Sequence, residues 1–210
     1  MQVKPQGGGR LRGRDLFFRI ETRRQRRMAI EIERKYIIEK ASVLELSQKL
    51  TELNALFSYE TFEENYLYRG GVLDGRAAVL RLRKTNERST LTYKEKVSSE
   101  NDFKHQIELE TDVSNVAATE SIIAKLGYTL SIIYEKRRKA WRLGNAEVVL
   151  DELPFGLYME IEGRVEDIVA AEKMLGADRF EIEATGYPGL TLKHGHLIDG
   201  IIESRFAGTN

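Results

Sequence analysis

Short segments in which polar and apolar residues alternate recur along most of this chain, and this alternation is the feature that most limits its fold. Alternation of this kind is typical of β-strands that have one apolar face and one polar face. Turn residues such as Asp74-Gly75 and Gly144-Asn145 join neighbouring segments, which favours antiparallel hairpins. The segments predicted as strands are residues 30–38, 63–69, 77–84, 90–97, 104–111, 131–143, 146–152 and 157–163.

Amphipathic segments interrupt the series of strands. Those predicted as helices are residues 42–56, 114–126 and 165–175. Ser42 with Glu45 is typical of a capping box at the start of the first helix, and Gly127 and Gly176 are expected to end the other two. Pro188 is well placed to open a short final helix. The order lacks the regular strand–helix alternation of a parallel sheet, so the predicted class is α+β with a large antiparallel sheet or barrel.

Composition excludes several classes of protein. The 210 residues include no cysteine, which excludes a disulfide framework and a thiolate metal site and agrees with a cytoplasmic location. Hydrophobic residues make up 41% of the chain, enough for a core. Charged residues interrupt every apolar run before it reaches the length of a membrane span, so no contact with a membrane is expected.

The first 27 residues are strongly basic, with nine Lys or Arg against Asp15 and Glu21. Such a leader is compatible with a nucleic-acid arm or an Arg-rich targeting peptide. Met28 stands directly before the first alternating segment, so the favoured interpretation is a disordered extension that follows from an upstream start. Residues 28–210 are therefore predicted to form the folded domain. Nucleic-acid binding is not expected, and a homodimer is left open.

The polar positions of the predicted strands carry almost only Glu, Arg and Lys. Because successive side chains of a strand point to opposite faces, residues two apart share a face. The acidic pairs that share a face in this way are Glu31 with Glu33, Glu108 with Glu110, and Glu160 with Glu162. The basic residues at matching positions are Lys35, Arg81, Arg83, Lys94, Lys136 and Arg138, and Asp151 lies on the polar side of its own strand.

This charged face has two interpretations. One is an ordinary solvated face of an antiparallel sheet. Such a face normally mixes in Thr, Ser and Gln, however, and the amphipathic helices offer apolar stripes to cover the other side of the sheet. The sheet is therefore predicted to curl with its charges inside. A dry bore lined by ions is very costly, but a wet bore that holds an anion with its metal is not.

The basic and the acidic residues of this face both suit a polyphosphate in such a bore. Arg and Lys bind phosphate oxygens through charge-assisted hydrogen bonds. Carboxylates ligate hard divalent cations such as Mg²⁺, which also bind phosphate oxygens. The sequence therefore predicts a tunnel that takes a polyphosphate together with a divalent metal.

The same residues, in the same order, resemble the CYTH family, also called triphosphate tunnel metalloenzymes. The resemblance runs from about residue 29 to about residue 190 and is carried by Glu31-x-Glu33-x-Lys35, Arg81-x-Arg83, Lys94, Glu108-x-Glu110, Arg138, Asp151 and Glu160-x-Glu162. It implies an eight-stranded antiparallel β-barrel with helices packed outside. It also implies triphosphate binding by the basic residues and binding of Mg²⁺ or Mn²⁺ by the acidic ones. The family's C-terminal Ser-Tyr motif is only partly present, because Gly186-Tyr187 stands in its place.

Three functional hypotheses follow. The first is a metal-dependent enzyme that hydrolyses the terminal phosphate of inorganic triphosphate, thiamine triphosphate or a nucleoside triphosphate. The second is a class IV adenylyl cyclase that converts ATP to cyclic AMP and pyrophosphate, and the third is a non-catalytic polyphosphate or nucleotide binder. For the first, the residues assigned to catalysis are Lys35, Glu33 and Glu162. The residues assigned to substrate binding are Lys35, Arg81, Arg83, Lys94, Lys136 and Arg138. The residues assigned to metal binding are Glu31, Glu33, Glu108, Glu110, Asp151, Glu160 and Glu162.

Overall fold

The computed structural model describes residues 29–100 and 102–208, so the predicted extension at residues 1–27 lies outside the described residues. The strands in this part of the chain are β1 (Ala29–Ile38), β2 (Leu56–Arg69), β3 (Ala78–Lys84), β4 (Ser89–Glu100), β5 (Phe103–Val113), β6 (Thr129–Leu143), β7 (Ala146–Leu153), β8 (Gly156–Glu162), β9 (His196–Ile198) and β10 (Ile201–Ser204). The helices are α1 (Lys40–Glu52), α2 (Val72–Gly75), α3 (Val116–Lys125), α4 (Val165–Leu175) and α5 (Tyr187–His194), with a 3₁₀ helix at Ala177–Arg179.

Strands β1 to β8 close into an antiparallel barrel. Around the barrel they follow the order β2-β3-β4-β5-β1-β8-β7-β6, and β6 pairs with β2 to complete the ring. The closing pair is long, running from Leu56 opposite Arg142 to Arg69 opposite Thr129. The predicted α+β class and the eight-stranded antiparallel barrel are therefore confirmed.

The two faces of each strand have different neighbours. On β1, the charged Glu33 and Lys35 are buried and line the interior of the barrel, whereas Tyr36 and Ile38 belong to an apolar cluster on its outside. Helices α1 and α4 supply the other side of this cluster, for example through the fully buried Leu50. Burial of one such side chain stabilises a fold by about 1.5–3 kcal/mol, so the outer layer holds the barrel together.

Helix α3 covers a second part of the outside. Its Ile123 packs against Tyr68 of β2 and Leu82 of β3. A third apolar cluster joins Leu67 and Ile132 of the barrel to Tyr187 and Leu190 of α5. Leu67 and Tyr187 of this cluster also line the interior of the barrel, so part of that lining is apolar and aromatic.

The start and end of α1 differ from the prediction. The helix begins at Lys40 and its N-cap is Glu39, so the predicted capping box at Ser42 is wrong: β1 continues to Ile38 and the chain enters the helix almost at once. The helix also ends before residue 56, because Asn54 takes a left-handed conformation with φ of 55°. The Ala55 N–H then donates to the Leu50 carbonyl at 2.9 Å, a hydrogen bond typical of a Schellman motif.

The C-terminal region holds two strands that the alternation did not predict. Strand β10 pairs in parallel with residues 132–134 of β6, and β9 pairs antiparallel with β10. Both strands are only three or four residues long, too short for a periodic signal. Within the described residues, the helices are all too short or too polar to cross a membrane.

Candidate functional site

The barrel encloses a charged cavity of about 390 Å³. All six basic residues predicted to bind substrate line it. Of the seven acidic residues predicted to bind metal, all line it except Asp151. The side chains that alternation placed on one face of the sheet thus meet in one space. The charged residues that line the cavity are Glu31, Glu33, Lys35, Arg81, Arg83, Arg88, Lys94, Lys96, Lys104, Glu108, Glu110, Lys136, Arg138, Glu147, Glu160 and Glu162.

Three of the predicted metal ligands lie close together, and we call Glu31, Glu33 and Glu162 the acidic trio. Each offers a carboxylate oxygen, and the three oxygens lie within 4.8 Å of one another. The trio forms because β1 carries Glu31 and Glu33 on its inner face and Glu33 lies opposite Glu162 in the pairing with β8. A set of carboxylate oxygens at this spacing suits a hard divalent cation such as Mg²⁺ or Mn²⁺.

The electrostatics of the trio also favour a cation. Burial, opposed by Arg138 but reinforced by Glu31 and the other nearby carboxylates, raises the pKa of Glu162 to about 8. Burial acts in the same direction on Glu33, but the ammonium groups of Lys104, Lys35 and Lys94 outweigh it and hold the pKa of Glu33 below its ordinary value. The charged form of Glu162 is therefore disfavoured by burial and by the nearby carboxylates, and a divalent cation would stabilise it.

The other four predicted metal ligands also contact cations, as Glu31 and Glu33 of the trio do. Asp151 is buried and accepts two hydrogen bonds from Arg138, at 2.8 and 2.6 Å. Glu160 lies 2.6 Å from the same guanidinium and 3.5 Å from the Lys35 ammonium. Glu108 and Glu110 lie 3.5 and 3.7 Å from the Arg81 guanidinium. A metal role for these four acids stays a prediction, and their contacts in the structure are those of residues that hold the basic side chains in place.

The basic residues are held by complementary pairs on neighbouring strands. Lys94 contacts Glu108 at 2.7 Å and Glu31 at 3.0 Å, and these carboxylates, against the effect of burial, raise its pKa. Lys136 lies 3.3 Å from Asp151, yet its burial and the nearby Arg138 lower its pKa. The cations are therefore positioned before any ligand arrives, which reduces the entropy cost of binding an anion.

Three residues of the site lie outside the set assigned from the sequence. Lys104 donates to Glu33 at 2.9 Å, and Glu63 lies 3.1 Å from the Arg83 guanidinium. Alternation could have found Lys104, because it shares the inner face of β5 with Glu108 and Glu110, whereas no residue of β2, the strand of Glu63, had been assigned. Tyr187, left out of the assigned set, donates from its hydroxyl to Asp151 at 2.7 Å, and its ring lies 4.1 Å from the Lys35 ammonium. It comes from α5, so strand periodicity carries no signal for it.

Comparison with known proteins identifies the family of this chain. The family model of the CYTH domain matches residues 29–186. No curated protein matches the chain significantly. Among solved structures, the PH1012 protein from Pyrococcus horikoshii is similar, with a TM-score of 0.65 and 24% identity, over 75% of this chain and 96% of that one.

Two further similar structures have names that include an activity. A candidate adenylate cyclase from Vibrio parahaemolyticus has a TM-score of 0.62 and 18% identity, over 77% of this chain and 97% of that one. HpAC1 from Hippeastrum, described as a candidate adenylyl cyclase with a dominant triphosphatase activity, has a TM-score of 0.61 and 17% identity, over 82% and 99% of the two chains. At these identities the likeness concerns the fold.

The family match begins at the first residue of β1 and reaches Gly186, directly before α5. It therefore spans all eight strands of the barrel and every inward-facing residue assigned from the sequence. The barrel, its bore charged with both signs and the matched family model agree with one another. The chain belongs to the CYTH domain family, whose members are metal-dependent enzymes that process triphosphates.

Proposed function

We propose that this chain is a divalent-metal-dependent triphosphatase, which binds a triphosphate in its bore and hydrolyses the terminal phosphate. The observation that carries the proposal is the placement of the acidic trio in the same cavity as the six predicted substrate-binding cations. A triphosphate needs several positive charges along its length, and its reacting phosphate needs a metal. The cavity offers groups for both within one barrel.

The basic residues would bind and orient the substrate. Lys35, Arg81 and Arg83 project into the cavity from β1 and β3, and we assign them, with Lys94, Lys136 and Arg138, to the phosphate oxygens. These contacts hold the chain of phosphates still and neutralise charge as the terminal bond breaks. Lys35 lies on the inner face of β1, as Glu31 and Glu33 do, and its ammonium is 3.5 Å from Glu160. It is the cation that we assign to the reacting phosphate.

The acidic trio would hold Mg²⁺ or Mn²⁺. When bound there, such an ion supplies Lewis-acid stabilisation of phosphate oxygens and a more acidic bound water. Glu31 and Glu33 now accept from Lys94 and Lys104. Phosphate oxygens compete for these ammonium groups, so substrate binding would free the two carboxylates for the cation. Substrate and cation binding are therefore expected to strengthen each other.

The proposed reaction is a hydrolysis in which water supplies the nucleophile. The water oxygen forms a bond to the terminal phosphorus, the bond from that phosphorus to the bridging oxygen breaks, and a diphosphate leaves. The proton lost by the water passes to solvent or to phosphate. The names of the Vibrio and Hippeastrum proteins make cyclase chemistry on ATP the rival outcome, because it uses the same phosphate-binding groups.

The proposal predicts phosphate release from tripolyphosphate, thiamine triphosphate or ATP when Mg²⁺ or Mn²⁺ is present, and none in EDTA. The purified chain is incubated with each compound, and the products are separated and identified. ADP and phosphate from ATP would support hydrolysis, whereas cyclic AMP and pyrophosphate would replace the proposal with a cyclase. Tight binding of all three compounds without turnover would identify a non-catalytic binder.

A further inference from the structure

Gln106 is a buried amide in the site that the family resemblance did not assign. It lies on β5, is 5% exposed and lines the charged cavity. Its Nε2 atom is buried and has no hydrogen-bond partner among the described residues. An unsatisfied buried donor costs about 1–3 kcal/mol, and folded proteins seldom keep one without a reason. The amide is therefore a candidate contact for a ligand in the bore.

The neighbours of Gln106 on the inner face of β5 are already paired. Lys104 donates to Glu33, and Glu108 contacts the Lys94 ammonium at 2.7 Å. Gln106 stands between these two ion pairs and lies directly opposite Glu31 in the pairing of β5 with β1. It is a neutral group beside the acidic trio, within a wall of charged side chains.

We propose that Gln106 donates a hydrogen bond to a non-bridging phosphate oxygen of the bound triphosphate, next to the acidic trio. The inference rests on the proposed function, because it takes the cavity to bind a triphosphate. The argument depends on the neutrality of the Gln106 side chain. A Lys or Arg at this position would pair with Glu31, as Lys94 does. A neutral donor binds phosphate and leaves that carboxylate available for a divalent cation.

Two variants separate this role from a general effect on folding. Gln106→Met removes the donor and keeps the length of the side chain, and Gln106→Glu keeps the shape but offers only acceptors. Tripolyphosphate binding is measured by calorimetry on the full chain without divalent metal, and Mn²⁺ binding is measured without tripolyphosphate. A matched control is His105→Gln, because His105 precedes Gln106 on β5 and does not line the cavity.

We expect the Gln106→Met variant to bind tripolyphosphate about 10- to 100-fold more weakly, as for one lost hydrogen bond to a charged group. The Gln106→Glu variant should lose at least as much, yet bind Mn²⁺ no more weakly than the wild type. Wild-type affinity for tripolyphosphate in both variants would overturn the inference, and so would an equal loss in the control. Failure of the wild type to hydrolyse bound tripolyphosphate would remove the proposed function alone, since the binding comparison does not depend on turnover.

Discussion

Replacing Arg138 with methionine should lower the free energy of unfolding by about 3–5 kcal/mol, which is the usual cost of removing one partner from a buried ion pair. The guanidinium lies 2.6 Å from both Asp151 and Glu160. The side chain of Asp151 is fully buried, and that of Glu160 is only 4% exposed. Methionine fills much of the same space but leaves both carboxylates short of positive charge. Chemical denaturation of the two proteins measures the difference.

Arg137 provides a matched control for this change. It is the adjacent residue of β6, but it faces outward, is 51% exposed and pairs with the half-exposed Glu152 at 3.2 Å. An exposed pair contributes about 0–1 kcal/mol, so Arg137→Met should change stability by no more than that. Equal losses in the two variants would mean that the Arg138 pairs are as well hydrated as a surface pair, contrary to a buried network inside the barrel.

Replacing Glu162 with glutamine should cause a large loss of activity with little loss of stability. The change removes one carboxylate from the acidic trio. If the trio holds the metal, turnover of tripolyphosphate should fall by about 100- to 1,000-fold, equivalent to about 3–4 kcal/mol of transition-state stabilisation. The metal-free protein should be as stable as the wild type or more so, because a carboxyl whose pKa is raised by folding destabilises the fold as pH rises above its unfolded pKa, and glutamine does not ionise.

The control for this variant is Glu152→Gln, which neutralises an exposed carboxylate on β7 outside the bore. It should keep full activity and wild-type Mn²⁺ affinity. Calorimetric titration with Mn²⁺ shows whether lost turnover follows lost metal. Unchanged turnover in Glu162→Gln would remove that residue from the site, and lost turnover with unchanged Mn²⁺ affinity would remove its role as a ligand.

Much of the site follows from one rule, that residues two apart on a strand share a face. This rule is sufficient to group Glu31, Glu33 and Lys35, and to put Arg81 with Arg83, because each set lies on a single strand. The rule also predicts that the sheet curls with its charges inside. The reason is that the outward-facing residues are apolar and the helices carry apolar stripes that can cover them. Lys104 obeys the same rule and lies outside the assigned set only because the assignment stopped at the recurring motifs.

What alternation cannot give is the pairing between strands and the contribution of other elements. That Glu162 meets Glu33, or that Asp151 faces Arg138, depends on strand order and register. These are set by the whole barrel and by turn geometry, and no single strand encodes them. Tyr187 reaches Asp151 from a helix, so its place depends on how α5 packs on the barrel.

The positions of Mn²⁺ and of tripolyphosphate, the latter supplied as its non-hydrolysable imido analogue, in a crystal of the wild-type protein test the central claim most directly. Our account predicts an anomalous peak for Mn²⁺ beside Glu31 and Glu162, with the phosphates in contact with Lys35, Arg81 and Arg83 inside the bore. Mn²⁺ or tripolyphosphate bound on the outside of the barrel, with the bore holding only water, would contradict it.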